Sequence, residues 1–424
     1  MARSLHITFG IELEFICVYP QGFFRRLFPE YDGPDQAGNA VEKQLRQIGI
    51  KITGFEFDED IFAPQPEGPT YSRWTVSREE LHLSAAEQAV LPPGSAIEAL
   101  ELSSRVFHLD HDNWRLEIEA VLATLRMLEC CGCRIFANGD TGLHVHVGNG
   151  DALLPIETSK NVLRIVTAFE RCLDQIHTVP RIKMPSPEDA GTIQCGSPSF
   201  FFSHAIVPSA DASPVVSPFR SWLAAIDGVE RYEPLGAFFS STIEGSALEY
   251  LDGHNSAYNL DNLYSRPGVD RKAQLTKTIE FRQHAGTLEL EDIVAWILTV
   301  TRITKFAHHG YTTGRQLPST RDLVGDEYRL PENKDFGIVE LLTWMGVASE
   351  AIDLYARKVD AAVDFALEKK TKRLLLELEL AHYQTFYPLI EEVENARYAR
   401  SGIAAVREAV RQKYEEGYYG VELD

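Results

Sequence analysis

Charged and imidazole side chains recur at every second position in four short segments of the chain. The segments are GIELEF (residues 10–15), LELS (100–103), GLHVHVG (142–148) and TIEFRQH (278–284). Successive side chains of a β-strand point to opposite faces, so each segment predicts a strand with one polar and one apolar face. The polar faces carry Glu12, Glu14, Glu101, His144, His146, Glu280, Arg282 and His284.

This set of side chains is suited to binding divalent cations. A solvated face of an antiparallel sheet usually carries Thr, Lys, Ser and Gln instead. If the strands are neighbours, four carboxylates beside one arginine leave about three net negative charges, and bound cations would relieve that repulsion. Carboxylates with an occasional imidazole suit Mg²⁺ or Mn²⁺, whereas zinc sites are richer in His and Cys. The pattern therefore predicts a site for one or two divalent ions.

Each segment taken alone has a plainer explanation. Two carboxylates on one strand are usually part of a solvated face, and Glu280 with Arg282 would most often be a structural ion pair. Two imidazoles at alternate positions, as at His144 and His146, can chelate one ion together. The occurrence of all four segments in one chain favours the metal site.

The rest of the pattern alternates strands and helices before it becomes purely helical. Strands are predicted at residues 7–15, 73–76, 97–106, 143–147 and 278–284. Helices are predicted over 114–130, 156–178 and 289–308, the first with Asp112 as its N-cap. Beyond Pro331, helices are predicted over 336–344 and 349–366, followed by a charged stretch from 369 to 418.

This order of elements predicts an α+β protein with a mainly antiparallel curved sheet. Helices would pack on its convex side and the polar face would be concave. Residues 1–330 would form the catalytic domain and residues 331–424 a C-terminal helical region. Residues 184–240 are rich in Pro, Ser and Gly, and we interpret them as a lid or insertion because loops of that length are usually functional or disordered.

Composition narrows the possible partners. The chain has 424 residues, with 41 Lys and Arg against 62 Asp and Glu, and a formal net charge of −21. That charge repels phosphate backbones and anionic membranes, and it argues against nucleic acid as a partner. No segment has the apolar length of a membrane span or of a secretory leader, and the six cysteines resemble reduced thiols. We therefore expect a cytoplasmic protein.

Several motifs, in order along the chain, resemble the amidoligase family. They are FGIELEF, ALELSSRVF, GLHVHVG, AFERCLDQIHTVPR, AYNLDNL and TIEFRQHAGTLELEDIVAW, and they span about residues 6 to 300. Members of this family are carboxylate–amine ligases related to glutamine synthetase. The resemblance implies a glutamine synthetase-like sheet that lines a funnel for ATP and two divalent ions, Mg²⁺ or Mn²⁺.

The resemblance also implies roles for individual residues. Glu12, His144 and Glu280 would bind the ion that bridges the ATP phosphates. Glu14, with Glu101 as its companion, would bind a second ion near the reacting acid and amine. Arg282 would contact the transferred phosphoryl group. The implied catalytic residues are thus Arg282, Glu14 and Glu280, and the implied nucleotide-binding residues are Glu12, His144, Arg282 and His146.

The reaction implied is ATP-dependent formation of an amide from a small-molecule carboxylate and an amine. Amide formation in water is uphill, so the acid would first become an acyl phosphate, which requires neutralised phosphate oxygens held in line with the attacking carboxylate. No P-loop or Rossmann glycine motif follows any predicted strand. Metal ions and Arg282 would bind the phosphates instead.

The sequence departs from the family at two places that bear on the amine acceptor. After the Trp74 strand, Glu79 stands where members often have an aspartate, and the serine that usually follows is missing. Ser104-Arg105 replaces a common Ser-Pro pair. Arg181 matches a recurrent arginine of the family and is either an anion-binding residue or a surface residue.

Three other functions remain open from the sequence. A phosphotransferase on the same metal–ATP scaffold would phosphorylate a substrate without forming an amide. A metal hydrolase built on GLHVH would hold one zinc ion and would not need ATP. A non-catalytic binding protein would keep the polar face intact but unreactive.

Overall fold

A computed structural model gives the structure of the protein. It describes residues 5–28, 36–53, 70–182, 223, 225–237, 256–264, 276–313 and 336–359. Over these residues the fold is α+β, as predicted. The predicted charged stretch from 369 to 418 lies outside the described residues, as does most of the tract from 184 to 240.

Nine strands of the described chain form one open sheet. Their bounds are β1 Ile7–Pro20, β2 Ile52–Thr53, β3 Trp74–Arg78, β4 Ser95–Ser103, β5 Phe107–His108, β6 Arg134–Phe136, β7 Gly142–Asn149, β8 Tyr258–Asn259 and β9 Ile279–Ala285. The order across the sheet is β2-β3-β4-β1-β7-β9-β8, and β5 and β6 also pair with β1. Only β2 and β3 pair in parallel; the other described pairs are antiparallel. The four segments with alternating polar residues therefore occupy four adjacent central strands, β4, β1, β7 and β9.

The described helices are α1 Phe23–Leu27, α2 Gln36–Gln47, α3 Ala85–Ala89, α4 Trp114–Cys130, α5 Ile156–Ala168, α6 Glu170–Leu173, α7 Val179–Ile182, α8 Tyr232–Ala237, α9 Leu290–Thr312, α10 Ile338–Met345 and α11 Ser349–Val359. Both α10 and α11 fall where the C-terminal helical region is predicted. None of the described helices combines the length and the apolar character needed to cross a membrane.

The main core lies on one face of the sheet. Alternate residues of the central strands, such as Leu13, Val145 and Phe281, are buried there together with apolar residues of the helices. On α4 the buried residues follow the helical period, which gives the helix one apolar side: Ile118, Val121, Leu122, Leu125 and Leu128. The sequence predicted this separation of faces because it depends only on the period of the apolar residues.

A smaller apolar cluster lies on the opposite face, at the C-terminal end of β1. Ile16 and Val18 pack there with Leu83 and Phe136, under a segment that includes α3. The side chain of Ser84 accepts a hydrogen bond from the Glu87 amide, and the Glu87 side chain accepts one from the Ser84 amide, which caps α3. The polar residues of β1 thus begin where this cluster ends.

Two predicted helix details are wrong. Asn113, not Asp112, precedes the first residue of α4, and the Asp112 carboxylate instead accepts a hydrogen bond from the His108 amide at 2.7 Å. The predicted helix over 156–178 is divided into α5, α6 and a 3-10 turn at Asp174–Ile176, with a break at Phe169. Its apolar spacing continues across the break, so the pattern alone did not reveal it.

The strand predicted over 97–106 instead runs over Ser95–Ser103, so it begins two residues earlier and ends three residues earlier than predicted. The Ser104 hydroxyl accepts a hydrogen bond from the Ile11 amide at 2.8 Å and takes the place of a strand partner. Arg105 then turns outward to pair with Glu117 and Asp112.

Of the cysteines in the described chain, Cys17, Cys133 and Cys172 are buried free thiols, whereas Cys130 and Cys131 are exposed free thiols.

Gly286, just after β9, packs against the turn before β7 too closely to carry a side chain. The Gly286 amide donates to the Thr141 carbonyl at 2.8 Å, and a Cβ on Gly286 would overlap the Thr141 hydroxyl and lie 2.6 Å from its Cβ. We expect Gly286→Ala to lower the free energy of unfolding by about 1–3 kcal/mol, because one of the two backbones must move.

Urea unfolding of the metal-free protein measures this loss. Gly10→Ala is the matched control, since a Cβ there would be 3.6 Å from the Ser104 hydroxyl, an ordinary contact. Equal midpoints for the Gly286 variant and wild type would show that the turn relaxes at no cost.

Candidate metal centre

Strand register brings the predicted site residues together on the face opposite the main core. Glu12 pairs with His144 between β1 and β7, and His146 pairs with Glu280 between β7 and β9. Glu14 pairs with Glu101 between β1 and β4. Partners in an antiparallel ladder lie on the same face, with Cβ atoms about 5 Å apart. The register therefore gives two pairs of a carboxylate with an imidazole, and one pair of two carboxylates.

Glu12 occupies the centre of this arrangement. Its Oε2 lies 3.0 Å from His144 Nδ1, and its Oε1 lies 2.9 Å from His146 Nε2. Glu280 Oε1 is farther from the same two ring nitrogens, at 3.7 and 3.9 Å. One carboxylate thus contacts both imidazoles, each through a different oxygen.

Two groups of possible metal ligands share Glu12. One group is Glu12, His146 and Glu280, and the other is Glu12, Glu101 and His144; within each, one ligand atom per residue lies within 4.8 Å of the others. The family resemblance implied a different grouping, with His144 beside Glu280 and Glu101 beside Glu14. The two groups contain the same residues apart from Glu14, and they assign Glu280 to His146 and Glu101 to His144. Glu280 Oε1 lies at nearly equal distances from the two imidazoles, so the implied grouping stays a prediction.

Glu280 is held by two further side chains. Its Oε1 is ion-paired with Arg282, two residues along β9, and its Oε2 accepts a hydrogen bond from Asn259 Nδ2 at 2.8 Å. Asn259 Oδ1 also accepts a hydrogen bond from the Asp261 amide at 2.9 Å, so this side chain closes its own turn as well. Burial raises the pKa of Glu280, but the charges of Arg282 and His146 more than offset this, and the net pKa is lowered.

Glu14 is buried beside the start of β7. Its Oε2 accepts a hydrogen bond from the Gly142 amide at 2.5 Å, and its Oε1 lies 3.4 Å from His144 Nε2. A Cβ on Gly142 would overlap the His144 ring and lie 3.1 Å from Arg181 Nη2. Gly142 therefore allows the backbone, the imidazole and the arginine to meet at one point.

Two carboxyl groups of the face have raised pKa values. Burial and the neighbouring charge of Glu12 raise the pKa of Glu101 well above its usual range, and the Ser103 hydroxyl, at 2.7 Å, offsets part of that rise. Burial raises the pKa of half-buried Glu79, with a further contribution from Glu14. Glu79 thus lies close enough to the site to interact with it, which suits its position after the Trp74 strand.

Glu12 and His146 stabilise each other's charged forms. Burial raises the pKa of Glu12, but the charge of His146 and hydrogen bonds from both imidazoles bring it well below its usual range. Burial lowers the pKa of His146, and the charges of Glu12 and Glu280 more than reverse this, to about 9. Without an ion, His146 is therefore a cation at neutral pH.

The prediction that His284 shares this face is wrong. Between β7 and β9 the register shifts, so that two residues of β7 span the same length as three residues of β9. His284 pairs with Leu143, and its ring lies 5.4 Å from that of Trp296 and 5.8 Å from that of His177, on the helical side. Burial there lowers the pKa of His284 to about 4.

Arg181 is not a surface residue. It is buried, and its guanidinium donates to the Thr141 carbonyl at 2.5 Å, so it braces the turn before β7.

Thr278 is a residue of the site that the sequence pattern did not single out. Its hydroxyl lies 3.2 Å from His146 Nδ1. Its sequence signal is the period of two that it shares with Glu280 and Arg282, but a threonine on such a face does not by itself indicate a site.

Comparison with known protein families bears on the resemblance noted in the sequence. Residues 5–186 match the family model described as "Putative amidoligase enzyme". The resemblance to amidoligases is confirmed. The matched residues include β1, β4 and β7, and with them Glu12, Glu14, Glu101, His144 and His146. The family name supports a ligase-type enzyme. No curated protein matches the chain.

The raised pKa of His146 predicts how stability depends on pH without metal. The folded pKa of about 9 exceeds the ordinary value of 6.5, so this stabilisation is complete below about pH 6.5 and is lost as pH rises through about 9. We expect the free energy of unfolding to fall by about 1.4 kcal/mol per pH unit in that window, and by about 3 kcal/mol in all.

Urea unfolding of the metal-free protein at several pH values measures this slope. His146→Gln cannot titrate, so its stability should depend less on pH over the same range. If the variant and wild type lose stability in parallel, the slope has another source and His146 is not the group responsible.

Proposed function

We propose that this protein is an ATP- and divalent-metal-dependent amidoligase, which joins a small-molecule carboxylate to an amine. The observation that supports it most is Glu12, which is shared between two groups of carboxylate and imidazole ligands; all of these residues except Glu280 lie within the family match. Two ligand groups with one shared carboxylate suit a pair of neighbouring ions.

The residues present fit divalent cations. Each group has two carboxylates and one imidazole, a donor set that suits Mg²⁺ or Mn²⁺ better than a structural zinc ion. The raised pKa of Glu101 reflects crowding of negative charge that a cation would relieve. One ion would be held by Glu12, His146 and Glu280, and the second by Glu12, Glu101 and His144.

Such ions, when bound, neutralise the phosphate oxygens of ATP and so make the terminal phosphoryl group open to attack by a carboxylate. The nucleotide is needed because an amide does not form spontaneously from an acid and an amine in water. We propose that the acid is activated as an acyl phosphate and that the amine then displaces phosphate, with ADP and phosphate as the other products.

The protein's own residues would orient the phosphoryl group, the acid and the amine. Arg282 is held by Glu280 at the edge of the cluster, where its guanidinium would contact the transferred phosphoryl group. Glu14 is fixed by the Gly142 amide and lies 3.4 Å from His144 Nε2, next to the proposed second ion, where it would orient the reacting acid and amine. Glu79 lies beside this region and carries a raised pKa, and it would face the incoming amine.

Glu12→Gln tests the shared ligand. The variant keeps the shape of the side chain but removes the charge that both ligand groups use, so we expect ATP turnover with pools of acids and amines to fall at least about 100-fold. Production of ADP measures turnover, and product mass separates amide formation from phosphoryl transfer to the substrate. Glu350→Gln, which breaks an exposed ion pair with Arg115, is the matched control and should retain activity.

The ligase proposal is wrong if wild-type protein binds no nucleotide in the presence of Mg²⁺ or Mn²⁺. A phosphorylated product without amide would favour the phosphotransferase. Activity with one tightly held zinc ion and no ATP would favour the metal hydrolase.

Glu101→Gln should separate the two ion sites. The amide imitates the protonated acid that the raised pKa favours, so we expect the metal-free variant to be at least as stable as wild type. The group formed by Glu12, Glu101 and His144 then loses one charged ligand. Titration with Mn²⁺, followed by electron paramagnetic resonance of the free ion, should show one tight ion in place of two. Two equally tight ions in the variant would exclude Glu101 as a ligand.

A further inference from the structure

We infer that Thr278 is a positioning residue, whose hydroxyl orients His146 so that Nε2 can bind a divalent ion. This inference rests on the proposed function, because it concerns an ion at the group formed by Glu12, His146 and Glu280. The hydroxyl of Thr278 lies 3.2 Å from His146 Nδ1, on the side of the ring away from Glu12. His146 Nε2 lies 2.9 Å from Glu12 Oε1.

A chain of hydrogen bonds allows the Thr278 hydroxyl to accept a hydrogen bond from His146 Nδ1. The Thr278 hydroxyl is also 3.1 Å from the hydroxyl of Thr276. A hydroxyl has one hydrogen, so when Thr278 donates to Thr276 its lone pairs are left for the His146 Nδ1–H. A neutral imidazole with its proton on Nδ1 has its free lone pair on Nε2, which faces the two carboxylates. Such outer contacts commonly set the tautomer and orientation of a ligating histidine.

The side chain of Thr278 lies next to Gly148, which has no side chain of its own. A Cβ on Gly148 would lie 3.2 Å from the Thr278 methyl and 3.1 Å from the Thr8 hydroxyl. The absence of a side chain at Gly148 therefore leaves room for the threonine methyl. A serine would keep the hydroxyl but lose the methyl contact.

The backbone before Thr278 has an uncommon conformation. Lys277 has a φ of +59°, and no other described non-glycine residue has a positive φ. Its amide donates to the Asn262 carbonyl at 3.1 Å, and its ammonium group donates to the Asp151 carbonyl at 2.7 Å. Left-handed residues that are not glycine are disfavoured and persist where the surroundings enforce them, often at functional sites. Here the conformation turns the chain so that Thr278 meets His146 just before β9 begins.

Thr278→Val is the principal test, because valine has the shape of threonine without the hydroxyl. The dissociation constant for Mn²⁺ alone, measured on full-length metal-free protein, should rise 10- to 100-fold, the usual effect of losing such a contact. Thr278→Ser should remain within about threefold of wild type. Thr304→Val is the matched control, since the buried Thr304 hydroxyl bonds only to the Val300 carbonyl of its own helix, among described contacts.

A second pair of variants tests the backbone. Lys277→Gly keeps access to positive φ and should leave Mn²⁺ affinity within about threefold of wild type, whereas Lys277→Ile, which disfavours it, should weaken binding at least about tenfold.

The outcomes are distinct for the two proposals. If wild type binds no Mn²⁺, the proposed metal site fails and this role of Thr278 fails with it. If wild type binds Mn²⁺ and Glu12→Gln does not, but Thr278→Val matches wild type in affinity, the role of Thr278 alone is overturned. Equal weakening by Thr278→Val and Thr278→Ser would also overturn it, because the loss would then follow packing rather than the hydroxyl.

Discussion

The structure depends on how four carboxylates are tolerated on one face of a sheet. Like charges directly opposite in an antiparallel ladder are destabilising, and Glu14 faces Glu101 in this way. Each carboxylate is balanced differently: Glu12 by two imidazoles, Glu280 by an arginine and an amide, and Glu14 by a backbone amide. Among the described hydrogen bonds and ion pairs, Glu101 is given only the Ser103 hydroxyl, and its pKa is raised. It is therefore the place where a cation would contribute most.

One face of the sheet provides stability and the other carries the residues of the candidate metal centre. The main core on the helical face buries the apolar half of β1, β7 and β9, so the strands do not depend on the polar face for their hydrophobic stabilisation. The smaller cluster of Ile16, Val18, Leu83 and Phe136 closes one end of that face. Charged groups are consequently confined to a short central stretch, where neighbouring strands hold them at hydrogen-bonding distance.

The sequence was sufficient to predict which residues share a face, but not how they group. Period-two alternation correctly placed Glu12, Glu14, Glu101, His144, His146, Glu280 and Arg282 together. Pairing of His146 with Glu280, and of Glu101 with Glu12 through space, depends on strand order and stagger, which no local pattern encodes. Asp112 was misplaced for a similar reason, since its carboxylate could serve the α4 amides or the His108 amide. The curvature of the sheet and its likeness to glutamine synthetase stay predictions.

The failure at His284 shows what the register shift in β9 achieves. A regular strand would direct Arg282 and His284 to the site and Gln283 away from it. The extra residue of β9 opposite His144 keeps Arg282 beside Glu280 but returns His284 to the helical side. Gln283 meanwhile donates to Asp174 and accepts from the Tyr258 hydroxyl, at 2.8 and 2.7 Å. A bulge reverses the face to which every later side chain of the strand points. For this reason β9 can supply an ion pair to the polar face and, within two residues, anchor the helical layer.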